Sequence, residues 1–166
     1  WVLSDARNDA ALDAALRRLP RGSALVFRHY HLPEGKRRAR FAALARIAWA
    51  RGHTVVLSGT MKEARAWGAD GAYGPAQLLA RGQAGLRLVT VHSLREMTRA
   101  GRADALVLSP VFPTRSHPGV KLLGALRFRL LAARARRPVI ALGGMDAARA
   151  AQLGGVRWAA IDAFLR

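Results

Sequence analysis

The sequence predicts a single (β/α)8 barrel, and three observations carry that expectation. Short apolar runs rich in Val, Ile and Leu alternate with longer amphipathic stretches along the whole chain, as parallel strands joined by crossover helices do. Eight such runs are present, whereas an open doubly wound sheet usually stops at about five or six strands. No linker, low-complexity tract or composition boundary interrupts them, so 1–166 reads as one domain. The repeats average about twenty residues, which makes this a short version of a fold that typically runs to about 250 residues.

The expected strands are Trp1–Ser4, Ala24–Arg28, Thr54–Ser58, Gly71–Gly74, Leu86–Val91, Ala105–Val111, Pro138–Leu142 and Val156–Ile161. The fourth has the weakest pattern. Between them, helices are expected over Asp9–Leu19, Lys36–Ala50, Met61–Trp67, Ala76–Arg81, Ser93–Ala100, Gly124–Arg134 and Asp146–Leu153, with a final stub at Ala163–Arg166. In the second helix Phe41, Leu44, Ile47 and Ala48 recur at three- and four-residue steps, giving an apolar stripe for the sheet, while Lys36, Arg37, Arg40 and Arg46 form the polar face. Ser93 with Glu96 three residues on has the spacing of a capping box directly after a strand.

Composition excludes several classes of function. There is no cysteine, so disulfides, thiolate metal sites and a Cys nucleophile are ruled out, and a reducing compartment fits. No apolar run approaches the roughly 18 residues of a membrane span, and the first residues lack the pattern of a signal peptide, so a cytoplasmic protein is expected. The net charge of +18, from 28 basic against 10 acidic residues, suits anionic partners without choosing among nucleic acid, anionic lipid and phosphorylated metabolites. Only Lys36, Lys62 and Lys121 are lysines, and the arginines are spread through every helical segment instead of forming one stripe. Nucleic-acid binding, with Trp49 or Trp67 as stacking platforms, is therefore a remote alternative: no base-reading motif appears and both Trp residues suit helix faces packed on a barrel.

In a parallel barrel, binding and catalysis occupy the loops after the strands, where helix N-termini converge. The longest such loop, Ser109–Gly119, is basic and hydroxyl-rich. Gly143-Gly144 follows an apolar strand and precedes a helix; it either makes a tight turn or lets backbone approach an anion, and phosphate sites are frequent after strands seven and eight. Arg28 ends a strand, so its guanidinium emerges at the mouth, to grip phosphate oxygens or to form an ion pair. His92, also at a strand end, is a candidate acid or base, with a capping role as the alternative. No shared metal is expected between His29 and His31, which are read as pointing apart on either side of Tyr30.

Six segments in register resemble the thiamine phosphate synthase and thiazole tautomerase superfamily. VLSD at 2–5 resembles the family's first strand, LVFRHY at 25–30 its QLRxK strand, ADGAYG at 69–74 its ADGVHLG, and TVHS at 90–93 its SxHT. ADALVLSPVFPTRSH at 103–117 is similar to ADYIGxGPVFPTxTK and is the most specific, and PVIALGGM at 138–145 follows like PVVAIGGI. The resemblance implies a thiamine-biosynthesis transferase that joins hydroxymethylpyrimidine pyrophosphate to a thiazole phosphate, with Mg²⁺ at the departing pyrophosphate. It further implies that Arg28 and Thr90 contact pyrophosphate and that Thr114, Ser116 and Gly144 bind the thiazole phosphate, with Gly143 added by the glycine-pair reading; barrels of this family often self-associate, which leaves a homo-oligomer open for this chain.

Other positions depart from the family. The pyrophosphate-binding Lys is Tyr30, the Asn-Asp pair after strand three is Ser58-Gly59, no acid occurs in Pro75–Gly85, and the loop Lys is His117. The family's Mg²⁺ ligands are therefore absent, and a hard cation without carboxylates binds poorly; no metal-ligating residue is assigned. Two alternatives follow. One is a metal-independent thiazole tautomerase in which His92 or His117 is the catalytic group, since the tautomerase histidine position is Ser109-Pro110 here. The other is a non-catalytic paralogue that binds a phosphorylated ligand.

Overall fold

The β-branched and leucine-rich runs form eight strands, while the longer alanine-, leucine- and arginine-rich stretches between them form helices; the computed structural model describes residues 1–82, 84–116 and 119–164. The strands are β1 (Val2–Leu3), β2 (Ala24–Phe27), β3 (Thr54–Ser58), β4 (Gly71–Pro75), β5 (Leu86–Val91), β6 (Ala105–Leu108), β7 (Val139–Leu142) and β8 (Arg157–Ala159). They lie parallel in chain order, and a bridge between Val2 and Ala160 joins the first edge to the last. The result is the expected (β/α)8 barrel. Buried Asn8 reinforces the seam, its amide donating to Leu3 O at 2.9 Å and Ile161 O at 2.8 Å.

The crossovers are α1 (Asp9–Arg18), α2 (Glu34–Ala50), α3 (Met61–Ala66), α4 (Ala76–Leu79), α5 (Leu94–Arg99), α6 (Gly124–Ala133) and α7 (Ala147–Gln152). The expected stub at 163–166 differs: Ala163 and Phe164 lie in a turn, where Phe164 stacks on Trp158 with ring centroids 5.0 Å apart, and 165–166 fall outside the described residues. The run expected to reach Val111 as strand stops at Leu108, before Pro110, which has no N–H to give a ladder. None of the described helices is long and apolar enough to cross a membrane.

The two-residue period of each strand separates two apolar layers. Leu3, Val26, Val56, Leu88, Val107 and Ile140 fill the barrel interior. Their neighbours Val2, Leu25, Phe27, Val55, Leu57, Val89, Leu106 and Ala141 face the helices. Helix α2 buries Phe41, Leu44, Ala45 and Ala48 in that outer layer, with Ile47 half-buried, as its stripe predicts. Its polar face is less solvated than expected. Arg40 turns back to Asp9 and Asp13, and Arg37 donates to Arg28 O at 2.8 Å and Ser58 O at 3.0 Å, tying the ends of β2 and β3 together.

At four residues, α4 is too short to cover its share of the sheet. Buried Arg87 of β5 takes part of that role. Its guanidinium donates to the carbonyls of Leu79, Gly82 and Gly85, so the loop's backbone acceptors are satisfied by a strand side chain. Trp67 packs against Phe41 and Phe27 as a core aromatic, whereas Trp49 is largely exposed and donates its indole N–H to Asp70.

Helix α3 begins with a complete capping box: Thr60 Oγ1 accepts from Glu63 N–H, and Glu63 Oε2 accepts from Thr60 N–H at 2.7 Å. The Thr60 N–H and hydroxyl hold the Glu63 carboxyl below its usual range. A depressed carboxyl contributes stability above its unfolded-state pKa of about 4.3 and loses it as pH falls through the lower folded value. Thr60→Ala should therefore lower stability by about 1 kcal/mol, read as a reduced urea midpoint near pH 7. The gap between wild type and Glu63→Gln should narrow progressively as the pH falls below about 4.3.

Candidate functional site

Pleat alternation decides which side chains reach the mouth of the barrel. Val26 faces inward and Phe27 outward, so Arg28, next in line, turns inward at the end of β2. The same count brings Tyr73 of β4, Thr90 and His92 of and after β5, Ser109 after β6 and Leu142 of β7 to one cavity of about 1150 Å³. The expected residues Arg28, Thr90, His92, Thr114, Ser116, Gly143 and Gly144 all line it. His117 lies outside the described residues. The charged lining is mostly basic: Arg28, Arg115, Lys121, Arg127 and Arg149, against Asp146 and Asp162.

One side of the cavity is built from the Ser109–Ser116 segment and the glycine pair. Val111 N–H donates to Leu142 O at 2.9 Å and Phe112 N–H to Gly143 O at 3.0 Å, so the segment runs against the end of β7. Both glycines have positive φ, 96° and 60°, and a Cβ on Gly144 would sit 2.4 Å from Pro113 O. The pair is thus required by close backbone approach, whatever it binds. Thr114 Oγ1 accepts from Ser116 N–H at 3.3 Å, and Ser116 Oγ accepts from Arg7 at 2.7 Å. Arg149 reaches back from α7 to the Gly144 carbonyl, with its guanidinium 5.2 Å from the Phe112 ring centroid.

The opposite side is aromatic and cationic. Arg28 lies 5.8 Å from the ring centroid of Tyr30, whose hydroxyl bonds to Ser58 Oγ. Burial pushes the Tyr73 phenol up to about 12, so it is a neutral hydrogen-bonding group near neutral pH. His92 is held at both ends. Its backbone N–H donates to Glu96 Oε2 at 3.0 Å, and its ring Nδ1 faces the carbonyl of Ser109. A carbonyl only accepts, so Nδ1 carries a proton, and in the neutral ring Nε2 is the nitrogen with the lone pair. The expected box at Ser93 is thereby altered: Ser93 Oγ accepts from Glu96 N–H and donates to Glu96 Oε1 at 2.9 Å, but the backbone N–H that returns to the carboxylate is that of His92 instead of Ser93.

The carboxylates at the mouth are occupied by neighbours. Asp162 pairs with Arg115 at 2.9 Å and with Arg7 at 3.5 Å, Asp146 caps α7 by accepting from Arg149 N–H at 2.8 Å, and Asp5 pairs with Arg7 at 2.9 Å. Cations, hydroxyls and a neutral phenol around a partly enclosed cavity suit an anionic ligand of small-molecule size.

Arg7, Lys121, Arg127 and Arg149 are contributors that strand-end reasoning passes over. Arg149 sits on the face of α7 that turns toward the glycine pair, five residues after Gly144, and helical spacing from that pair is the signal that could have found it. Arg7 follows Asp5 by two residues in a 3-10 turn over Ala6–Asn8 that nothing in the hydrophobic pattern announces.

Gly144 and Gly154 give a controlled comparison, because both have positive φ but a Cβ on Gly154 would meet nothing within 4 Å. Gly154→Ala should show the backbone cost alone, about 1 kcal/mol. Gly144→Ala should cost at least about 1–3 kcal/mol more, from overpacking against Pro113. Chemical denaturation of the two variants measures the difference.

Comparison with known proteins bears on the fold and the family. The family model described as thiamine monophosphate synthase matches residues 2–161. Among solved structures, thiamine phosphate pyrophosphorylase from Pyrococcus furiosus superposes with a TM-score of 0.76 at 23% identity, over 96% of this chain and 83% of that one. The enzyme of the same description from Bacteroides thetaiotaomicron gives 0.65 at 16% identity, over 96% and 80%. No curated protein sequence matches the chain. Likeness at these identities speaks for the barrel, and the family match over nearly the whole length speaks for descent: the chain belongs to the thiamine monophosphate synthase family.

Proposed function

We propose that the cavity binds a thiazole phosphate beside a pyrimidine pyrophosphate and that the chain carries out a thiamine phosphate synthase-type transfer. The observation that supports this is the meeting of two anion-suited sides in one cavity. Thr114, Ser116, Gly143 and Gly144, backed by Arg149, line one, and Arg28, Thr90 and His92 the other. In the transfer the bond from the pyrimidine methylene to the pyrophosphate oxygen breaks, the pyrophosphate leaves with the bonding pair, and the thiazole nitrogen bonds to the carbocation-like carbon. Arg28 would hold the departing pyrophosphate, its planar fork matching two phosphate oxygens.

The family's Mg²⁺ does not fit the residues at the ends of β3 and β4. Ser58 is bonded to Tyr30, and Glu63, the nearest carboxylate after β3, is used to cap α3. Hard divalent cations need several oxygen ligands, carboxylates among them, and the donor set on this side is hydroxyl and carbonyl. Charge neutralisation in the proposed reaction therefore falls to Arg28 and the other cations of the mouth, and no step is assigned to a metal.

A second reading, metal-independent thiazole tautomerisation, is favoured by one feature: His92 is oriented by Ser109 O, with Nε2 as the basic nitrogen. In that reaction His92 would take a proton from the thiazole ring and return it elsewhere on the ring.

The two readings separate in a single set of assays. Purified protein given both synthase substrates should form thiamine phosphate, and Arg28→Ala should lower the rate by about 10²-fold or more. No product beside an active control synthase would overturn the transferase reading. Tautomerisation that survives chelation and is lost in His92→Ala would establish the second. Absence of calorimetric heat with both thiazole phosphate and inorganic phosphate would remove the phosphate cavity altogether.

A further inference from the structure

The turn that follows β2 does something the strand pattern does not foresee. The strand ends at Phe27, and His29 adopts φ 41°, a left-handed conformation uncommon for a residue with a side chain. The two imidazoles do not diverge as expected: residues two apart in extended backbone share a side, and across this turn the ring centroids lie 5.0 Å apart. Asp9, the first residue of α1, faces them. Nitrogen from each histidine and a carboxylate oxygen of Asp9 all lie within 4.8 Å of one another.

We propose that Asp9, His29 and His31 form a binding site for a late first-row divalent cation, with Zn²⁺ as the reference ion, on the outer flank of the barrel mouth. Two imidazoles and one carboxylate are the donor set such ions select, and three protein ligands leave one position for water. The state of His29 supports the assignment. Its ring is fully buried and stacks on Phe27 at 4.7 Å, and its Nδ1 lies 2.7 Å from Ser4 Oγ, which fixes the ring and can accept the Nδ1 proton. Its Nε2 is buried without a hydrogen-bond partner, although Asp9 Oδ1 is only 2.8 Å away. The 2.8 Å separation is that of a direct contact, so a shared cation with bonds of about 2.0–2.1 Å would move the two atoms slightly apart while giving the buried nitrogen a partner.

The surrounding charge permits it. Arg40 contacts Asp9 Oδ1 at 2.7 Å but also Asp13 Oδ2 at 2.6 Å, so the two carboxylates exceed the one guanidinium by one negative charge. His31 is exposed and gives the ion a route from solvent. The cation would clip the start of α1 to the turn after β2. Arg28 and Tyr30, which line the mouth cavity, are the chain neighbours of His29 and His31, so holding the histidines would restrain them.

Titration of the untagged protein with Co²⁺, followed by visible d–d absorption, tests the site with the metal alone and no substrate. One equivalent should bind, Zn²⁺ should displace it and Mg²⁺ should not. Zn²⁺ should also raise the melting temperature. His31→Ala, a change at an exposed position, should weaken binding at least about tenfold and abolish the thermal shift, while His92→Ala should leave both unchanged. The proposal is overturned by absence of saturable Co²⁺ binding in the wild type, by undiminished binding in folded His31→Ala, or by loss of binding in His92→Ala.

Discussion

Closing a parallel sheet on itself forces alternate side chains of every strand into a common interior, and the site of this protein depends on that constraint. Because the strands pair in parallel and in chain order from β1 to β8, the inward-facing rows all open at the same end of the barrel. Arg28, Tyr73 and Thr90 meet at the mouth because each extends a row whose lower members, such as Val26, Gly71 and Leu88, form the interior. A one-residue slip would exchange Arg28 for Phe27 and put a guanidinium against the helix layer. Burial of the apolar rows therefore fixes the mouth.

The two sides of the cavity are supported by different physics. Backbone geometry builds the glycine side: the loop after β6 continues the ladder onto β7 and needs glycine where it passes closest. Side-chain clamps build the other. Arg37 holds the carbonyls of Arg28 and Ser58 while its guanidinium lies 5.0 Å from the Trp67 ring centroid, so the ends of two strands are bound by a residue whose sequence context suggests only a solvated helix face. The family resemblance is clearest on the backbone side, and the departures from it fall on the clamp side.

This division also explains how much was legible in advance. Strand positions, the α2 stripe and the inward turn of Arg28 follow from periods of two and 3.6 residues, which the sequence displays directly. Arg28, Thr90, His92, Thr114, Ser116 and the glycine pair share the cavity because strand ends and family motifs mark them. Arg7 and Arg149 were not legible, since they reach the site through a 3-10 turn and a helix face. The two-residue period already puts His29 and His31 on one side, against the expected divergence; the approach of Asp9 to both was not legible, because it depends on how α1 docks beside the turn after β2.

Arg87 shows what the high arginine content does beyond surface charge. Where a crossover shrinks to one helical turn, the usual cover for a sheet face is lost, and a guanidinium collecting three loop carbonyls supplies part of it. Arginine is thus a construction material in this barrel, and a lysine of equal charge would not substitute, having a single compact head in place of a planar fork. The minimum length of a βα repeat is then set less by how much hydrophobic helix it carries than by whether a neighbouring strand can donate enough hydrogen bonds to a bare loop.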